Sequence, residues 1–131
     1  MFLVDTTVWI DFFRGHETVK TAYLTRALEE GEDICICGPV LTEILQGIQG
    51  DSQFKQAVKF LDFLIYLPLS KENYLLSAEI YRKARAKGKS VRKTIDCIIA
   101  SCAITHNVPL LHNDEDFFII EKYSKLKCME C

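Results

Sequence analysis

Residues 1–5 read Met-Phe-Leu-Val-Asp, in which the apolar run Phe2-Leu3-Val4 is followed directly by an acid. A second stretch of this kind, VPLLHND, covers residues 108–114, and a third apolar run, ICIC at residues 34–37, leads into a helical segment. Short apolar runs between helical segments predict the buried strands of a parallel sheet. Ligands of such sheets bind outside the carboxyl ends of the strands. We therefore expect three acids to meet on that rim: Asp5, Glu43 and Asp114.

Predicted strands and helices alternate along the whole chain. The expected strands cover residues 1–5, 32–37, 66–69 and 108–112, with a further strand near 126–129. The expected helices cover residues 6–13, 17–31, 71–87, 94–106 and 114–122, and two more begin at Gly38-Pro39 and at Asp51. This alternation predicts an α/β fold with a parallel sheet covered on both faces and right-handed crossovers. With 131 residues, the chain is expected to form one domain over residues 1–131.

The composition excludes several classes of protein. Apolar residues make up 49% of the chain and charged residues 26%, which is typical of a globular protein and not of a disordered one. No apolar run approaches the roughly 20 residues that a membrane-spanning helix needs. The first residues lack the basic segment of a signal peptide. We therefore expect a cytoplasmic protein without membrane contact.

Positive charge is concentrated in one segment, although the formal net charge is −2. The run RKARAKGKSVRK, residues 82–93, contains seven Lys or Arg and no acid. It is either a solvated surface or a patch that contacts phosphate groups. Because the run leads directly into the segment with Asp96, Arg92 and Lys93 are candidates for contact with a nucleic acid.

The acids themselves are the candidate site. On a helical wheel Asp96 lies near Ala100 and Ala103, and a buried carboxylate needs a cation or hydrogen bonds. Asp5 has two interpretations, a cap for the following helix or a metal ligand. Two carboxylates 4 Å apart repel by roughly 4 kcal/mol at an effective dielectric near 20, so a cluster requires a cation. Hard oxygen ligands favour Mg²⁺, with Mn²⁺ as an alternative.

The acidic segment after the last strand leaves one choice open. Asp114 comes first and is preferred as the fourth acid, with Asp116 as an additional or substitute member; acids at a helix start are also ordinary. The six cysteines are interpreted as buried or isolated thiols. Cys128 and Cys131 have the spacing of a zinc-binding pair, but no second pair completes a site. The aromatic residues Trp9 and Phe12-Phe13 belong either to the core or to a docking surface for a partner.

Four ordered motifs resemble the PIN-domain ribonucleases, and among them the VapC toxins of toxin–antitoxin pairs. They are VDTTVWIDF at residues 4–12, the helix with Glu43, TIDCIIA at residues 94–100, and LLHNDEDF at residues 110–117. The resemblance covers the whole chain. It implies a three-layer α/β/α sandwich with a central parallel sheet.

The resemblance also implies a function. It implies a Mg²⁺-dependent endoribonuclease whose catalytic quartet is Asp5, Glu43, Asp96 and Asp114. Asp5 and Asp96 would be the direct metal ligands. A homodimer and a VapB-like antitoxin partner are further implications.

Two other classes of α/β protein also place acids after their strands, but the sequence lacks a residue that each requires. A haloacid-dehalogenase-type phosphatase needs a second Asp two residues after the first, where this chain has Thr7. A phospho-receiver domain needs a lysine after its last strand, where this chain has Asn113 and Asp114. The non-enzymatic alternative is a catalytically inactive PIN fold that serves as a protein-binding scaffold.

Overall fold

The computed structural model describes residues 1–131 and has a central sheet of four parallel strands. The strands in chain order are β1 (Phe2–Val4), β2 (Ile34–Cys37), β3 (Ile65–Leu67) and β4 (Leu110–Leu111). They lie side by side in the order β3-β2-β1-β4. The predicted α/β class with a parallel sheet is confirmed. The reversal of strand order beside β1 puts the end of that strand where open α/β sheets bind ligands.

Seven helices connect and cover the strands. They are α1 (Thr6–Arg14), α2 (Val19–Glu29), α3 (Gly38–Gln46), α4 (Asp51–Leu61), α5 (Lys71–Ala86), α6 (Thr94–Thr105) and α7 (Asp116–Lys122). Helix α5 packs along α6, and α1 packs against α2 and α3. Each predicted helix is present, and the ends differ from the prediction by a few residues.

The core is one continuous hydrophobic cluster. It includes every residue of β1, β2 and β4, and Trp9 and Phe117 are its largest fully buried side chains. Strands buried on both faces explain why these segments read as unbroken apolar runs and not as alternating ones. Only β3, at the sheet edge, has exposed positions.

The last predicted strand is reduced to a single pairing. Instead of a strand over residues 126–129, Cys128 forms one parallel bridge with Leu110. Leu110 N donates to Lys127 O at 2.9 Å, and Met129 N donates to Leu110 O at 2.9 Å. The C-terminal segment therefore covers the outer side of β4, which would otherwise present unpaired backbone groups.

The predicted start of α7 at Asp114 is wrong by two residues. The Asp114 N–H is directed to His112 Nδ1 at 3.2 Å, and the Asp116 N–H is directed to Asp114 Oδ1 at 3.0 Å. An aspartate that accepts the backbone N–H two residues on satisfies a free donor at the start of a helix, as capping residues do. The helix begins only at Asp116, and Asp114 stays on the turn.

The connection from β1 to α1 fixes the first acid of the site. Asp5 is the N-cap of α1, with extended backbone angles (φ −73°, ψ 158°). At the other end Gly15 has φ 73° and bonds the carbonyl oxygens of Asp11 and Phe12. A left-handed cap of this kind suits glycine and ends the helix sharply. Asp5 is thus placed by a short helix that is capped at both ends.

Candidate metal centre

Five acids lie at the carboxyl-end rim of the sheet. Asp5 directly follows β1 and Asp114 follows β4, while the other three lie on helices: Glu43 in the second half of α3, and Asp96 and Asp116 in the first turns of α6 and α7. Asp5 and Asp96 are only 2% and 3% exposed. The charges of Asp5, Asp114 and Asp116 all act on Asp96, and Glu43 acts on Asp5. The structure thus places Asp5, Asp96, Asp114 and Asp116 within reach of one another's charge, with Glu43 beside Asp5.

Asp5 serves as a helix cap and still lies in the acidic cluster. Its Oδ2 accepts hydrogen bonds from Thr7 N at 3.1 Å and from Thr7 Oγ1 at 2.6 Å. Burial raises the pKa of Asp5, the bonds from Thr7 oppose this rise, and the charge of Glu43 adds to it. The two interpretations of Asp5 are therefore compatible.

A hydroxyl from the same turn fixes Glu43. Thr6 Oγ1 donates to Glu43 Oε1 at 2.7 Å, and Thr6 itself is 6% exposed. Thr7 Oγ1 also accepts from Asn113 N at 3.0 Å. These hydroxyls therefore hold carboxylates and tie the end of β1 to the turn after β4.

Asp96 is the least satisfied polar group of the site. Its Oδ2 is buried and has no hydrogen-bond partner. Burial raises the pKa of Asp96 to about 7, the charge of Asp5 adds to the rise, and Lys93 opposes it. A buried carboxylate without a partner is costly, so this oxygen is an open position for a cation.

The tightest group of oxygen donors is formed by Asp96, Asp114 and Asp116. One carboxylate oxygen from each lies within 4.8 Å of the others. Asp116 is 4% exposed and Asp114 is half-buried. Both candidates for the last acid therefore lie at the cluster, and Asp5 lies outside the tightest group although its charge reaches Asp96.

Arg92 is directed to the acids. Its Nε lies 3.2 Å from Asp116 Oδ2 and its Nη2 lies 3.2 Å from Asp114 Oδ1, while Lys93 Nζ lies 3.8 Å from Asp114 Oδ2. The side chain of Arg92 remains 69% exposed. The hydrogen bond to Asp116 and the charge of Asp116 raise the pKa of Arg92 most, and the charge of Asp114 adds to the rise. The sequence suggested Arg92 and Lys93 as nucleic-acid contacts and did not reveal that they pair with the acids.

His112 has a local structural role that the sequence did not reveal. The ring is buried, and its Nδ1 accepts the backbone N–H of Asp114. It packs against the rings of Phe117 and Phe118, with centroids 5.0 Å and 4.9 Å away. Burial lowers the pKa of His112, which favours the neutral ring that this acceptor role requires. His112 therefore holds the turn that carries Asp114.

The donor set fits a hard divalent cation. Asp96, Asp114 and Asp116 each offer a carboxylate oxygen to the cluster, and Asp96 Oδ2 is buried without a partner. Oxygen-only sites suit Mg²⁺ and Mn²⁺, whereas zinc sites in proteins favour nitrogen and sulfur. The residues present can hold such an ion.

The aromatic residues of α1 divide between core and surface. Trp9 is fully buried, so the core interpretation holds for it. Phe13 is 39% exposed, and Phe12, Phe13 and Phe60 line an apolar groove of about 410 Å³ with Ile48 and Ala57.

None of the seven helices combines the length and hydropathy needed to cross a membrane.

Comparison with known proteins agrees with this architecture. The family model described as PIN domain matches residues 2–123. The chain is 33% identical over 129 residues to a VapC ribonuclease of Mycobacterium bovis and to ribonuclease VapC11 of Mycobacterium tuberculosis. Each match covers 97% of this chain and 96% of the relative.

Solved structures show the same fold at lower identity. VapBC2 from Rickettsia felis, bound to a DNA fragment, matches with a TM-score of 0.77 and 21% identity, over 98% of this chain and 96% of that one. FitAcB from Neisseria gonorrhoeae matches with a TM-score of 0.74 and 20% identity, over 99% and 97%. These matches confirm the expected α/β/α architecture, and with the family model and the VapC relatives they establish that the chain belongs to the PIN domain family.

Proposed function

We propose that this protein is a metal-dependent endoribonuclease and the toxin of a VapBC-type toxin–antitoxin pair. The observation that carries the proposal is the unpartnered, buried Asp96 Oδ2 among the charges of Asp5, Asp114 and Asp116. The curated relatives that match nearly the whole chain are named ribonucleases. Hydrolysis of an RNA phosphodiester bond needs a group that offsets negative charge on the phosphate, and a divalent cation bound by these acids would supply it.

In this proposal Asp5 and Asp96 hold the ion, Mg²⁺ in the cell with Mn²⁺ able to replace it. When bound, the ion supplies Lewis acidity and a lowered pKa for water in contact with it. Asp5 would be kept in place for this role by its two bonds from Thr7. Asp96, with its free Oδ2, would provide the oxygen that has no other partner.

The other residues orient the reactants. Glu43, held by Thr6 Oγ1, would accept a hydrogen bond from the attacking water and direct it at phosphorus. Asp114 and Asp116 would complete the acidic wall, and the turn held by His112 would keep Asp114 in position. The exposed parts of Arg92 and Lys93 would attract the phosphate backbone to a site that otherwise repels it.

The partners follow from the same relatives. Neighbours in structure include VapBC complexes and a toxin–antitoxin complex from Klebsiella pneumoniae. We infer a VapB-like antitoxin and a homodimer, with residues 1–131 acting as a single PIN domain in the cytoplasm. The groove beside the exposed Phe13 offers the antitoxin an apolar surface.

The experiment is RNA cleavage by the purified chain with Mg²⁺ or Mn²⁺, and with EDTA. Asp5→Asn and Asp96→Asn should lower the rate by more than the roughly 100-fold range of outer-shell substitutions, because each removes a direct ligand. Asp62→Asn, at an exposed acid on α4's end, is the matched control and should cleave as the wild type does. Full activity of either site variant, or activity that EDTA does not change, contradicts the proposal. A folded protein that never cleaves RNA but binds an antitoxin indicates the inactive scaffold.

A further inference from the structure

Arg92 makes a two-carboxylate contact that the proposed reaction does not require. Its Nε lies 3.3 Å and 3.2 Å from the two carboxylate oxygens of Asp116, and its Nη2 lies 3.2 Å from Asp114 Oδ1. The guanidinium thus bridges two of the three acids in the tightest oxygen cluster. Planar forks of this type pair with carboxylates more specifically than an ammonium group does.

The backbone on both sides of Arg92 also holds this residue beside the acids. The backbone N–H of Arg92 donates to Asp116 Oδ2 at 3.0 Å. On one side Val91 is 3% exposed and belongs to the core, and on the other Lys93 is the N-cap residue of α6. The main chain is therefore anchored on both sides of Arg92, and the guanidinium is tethered to the acids.

The ion pairs at the rim involve only two of its acids, Asp114 and Asp116. Both cations of the site, Arg92 and Lys93, pair with Asp114 or Asp116. No ion pair reaches Asp5 or Asp96, and Asp96 Oδ2 has no partner at all. Among these four acids, Asp114 and Asp116 therefore have ion pairs, whereas Asp5 and Asp96 have none.

We propose that Arg92 is a tethered cation that takes the place of a second divalent ion on Asp114 and Asp116, so that each chain binds one ion. Two-metal sites place their ions roughly 3.5–4 Å apart, a separation that a cluster of this size would otherwise allow. Carboxylates engaged by a guanidinium are unavailable to a second ion unless Arg92 is displaced. The inference rests on the divalent-metal site of the proposed function, and it concerns the number of ions and not the reaction.

The test is a count of Mn²⁺ bound per chain, by electron paramagnetic resonance of free Mn²⁺ and by calorimetry. The wild type should bind about one ion, and Arg92→Gln about two, because loss of the guanidinium removes the only ion pair of Asp116 and leaves Asp114 only the longer 3.8 Å contact with Lys93. Arg92→Lys keeps the charge and should stay near one. Arg26→Gln removes a cation from an exposed position on α2 and should also leave the count near one. Thermal melts with and without Mn²⁺ give a second readout, with a larger rise for Arg92→Gln than for the wild type.

Two results overturn the inference: a wild type that already binds two ions, or an Arg92→Gln variant whose count equals that of the wild type. The wild-type count alone tests it, should the variant fail to fold. Because no RNA is present, the outcome is separate from nuclease activity. A count that rises as expected in a protein that does not cleave RNA retains this inference and rejects the nuclease. If neither protein binds Mn²⁺, both are rejected.

Discussion

Asp96→Asn should stabilise the metal-free protein at neutral pH. The wild-type carboxylate is buried, lacks a partner for Oδ2 and faces the charge of Asp5. Asparagine has nearly the same shape and no charge. In EDTA, therefore, replacing this ligand should raise the free energy of unfolding, although substitutions at buried positions usually lower it.

The magnitude follows from the pKa of Asp96, which rises from 3.8 to about 7 on folding. At about 1.36 kcal/mol per pH unit, the difference corresponds to about 4 kcal/mol at full ionisation. Between these two pKa values the folded state retains a proton that the unfolded chain releases, so wild-type stability falls as pH rises through this window. The advantage of the variant should grow from about 1.5 kcal/mol at pH 5 to about 4 kcal/mol near pH 8.

The assay is urea unfolding in EDTA at several pH values, followed by circular dichroism. Asp62→Asn is the charge-matched control and should show no growing difference. Saturating Mg²⁺ should narrow the difference, since a ligand at 100 times its Kd stabilises the folded state by about 2.7 kcal/mol and the variant has lost a ligand. A variant that is less stable than the wild type in EDTA, or a difference that does not change with pH, refutes the reasoning.

Further predictions concern the supports of the site and the aromatic surface. Thr6→Val removes the hydroxyl that holds Glu43 and should lower RNA cleavage by about 10- to 100-fold, while Thr6→Ser keeps most activity; equal rates in a cleavage assay would contradict this role. Trp9→Ala should lower the free energy of unfolding by about 3–5 kcal/mol, because the side chain is fully buried; a loss below 1 kcal/mol in urea titration would argue against core packing. Phe13→Ala should change stability by less than about 1 kcal/mol yet weaken capture of a co-expressed antitoxin in a pull-down. Light scattering at micromolar concentration should give the mass of a dimer, and a monomer would count against one.

The sequence predicted that these acids meet at one edge of the sheet, because strand direction and residue order are enough to define that edge. Parallel strands end on the same side, so Asp5 and Asp114 had to approach each other once their strands were recognised. Asp96 was found from its position beside small residues of α6. These inferences use only local patterns together with one general property of parallel sheets.

The remaining features depend on contacts between distant side chains. The pairing of Arg92 with Asp116 joins residues 24 apart in sequence, and the basic run around Arg92 reads equally well as a solvated surface. The late start of α7 depends on a ring nitrogen of His112 that accepts a backbone N–H. The strand predicted over residues 126–129 is also shorter than expected, because only Cys128 pairs with β4, through Leu110.

The cover that residues 127–129 place over Leu110 has a practical consequence for handling the protein. A truncation before Lys127 would leave the backbone groups of Leu110 at the edge of β4 unpaired. Another copy of the chain could then pair with this edge, and the product would be expected to aggregate. Since β4 leads directly to the Asp114 turn, the same deletion would loosen one side of the candidate metal centre. Affinity tags are therefore better fused after Cys131, which is exposed, than substituted for the final residues.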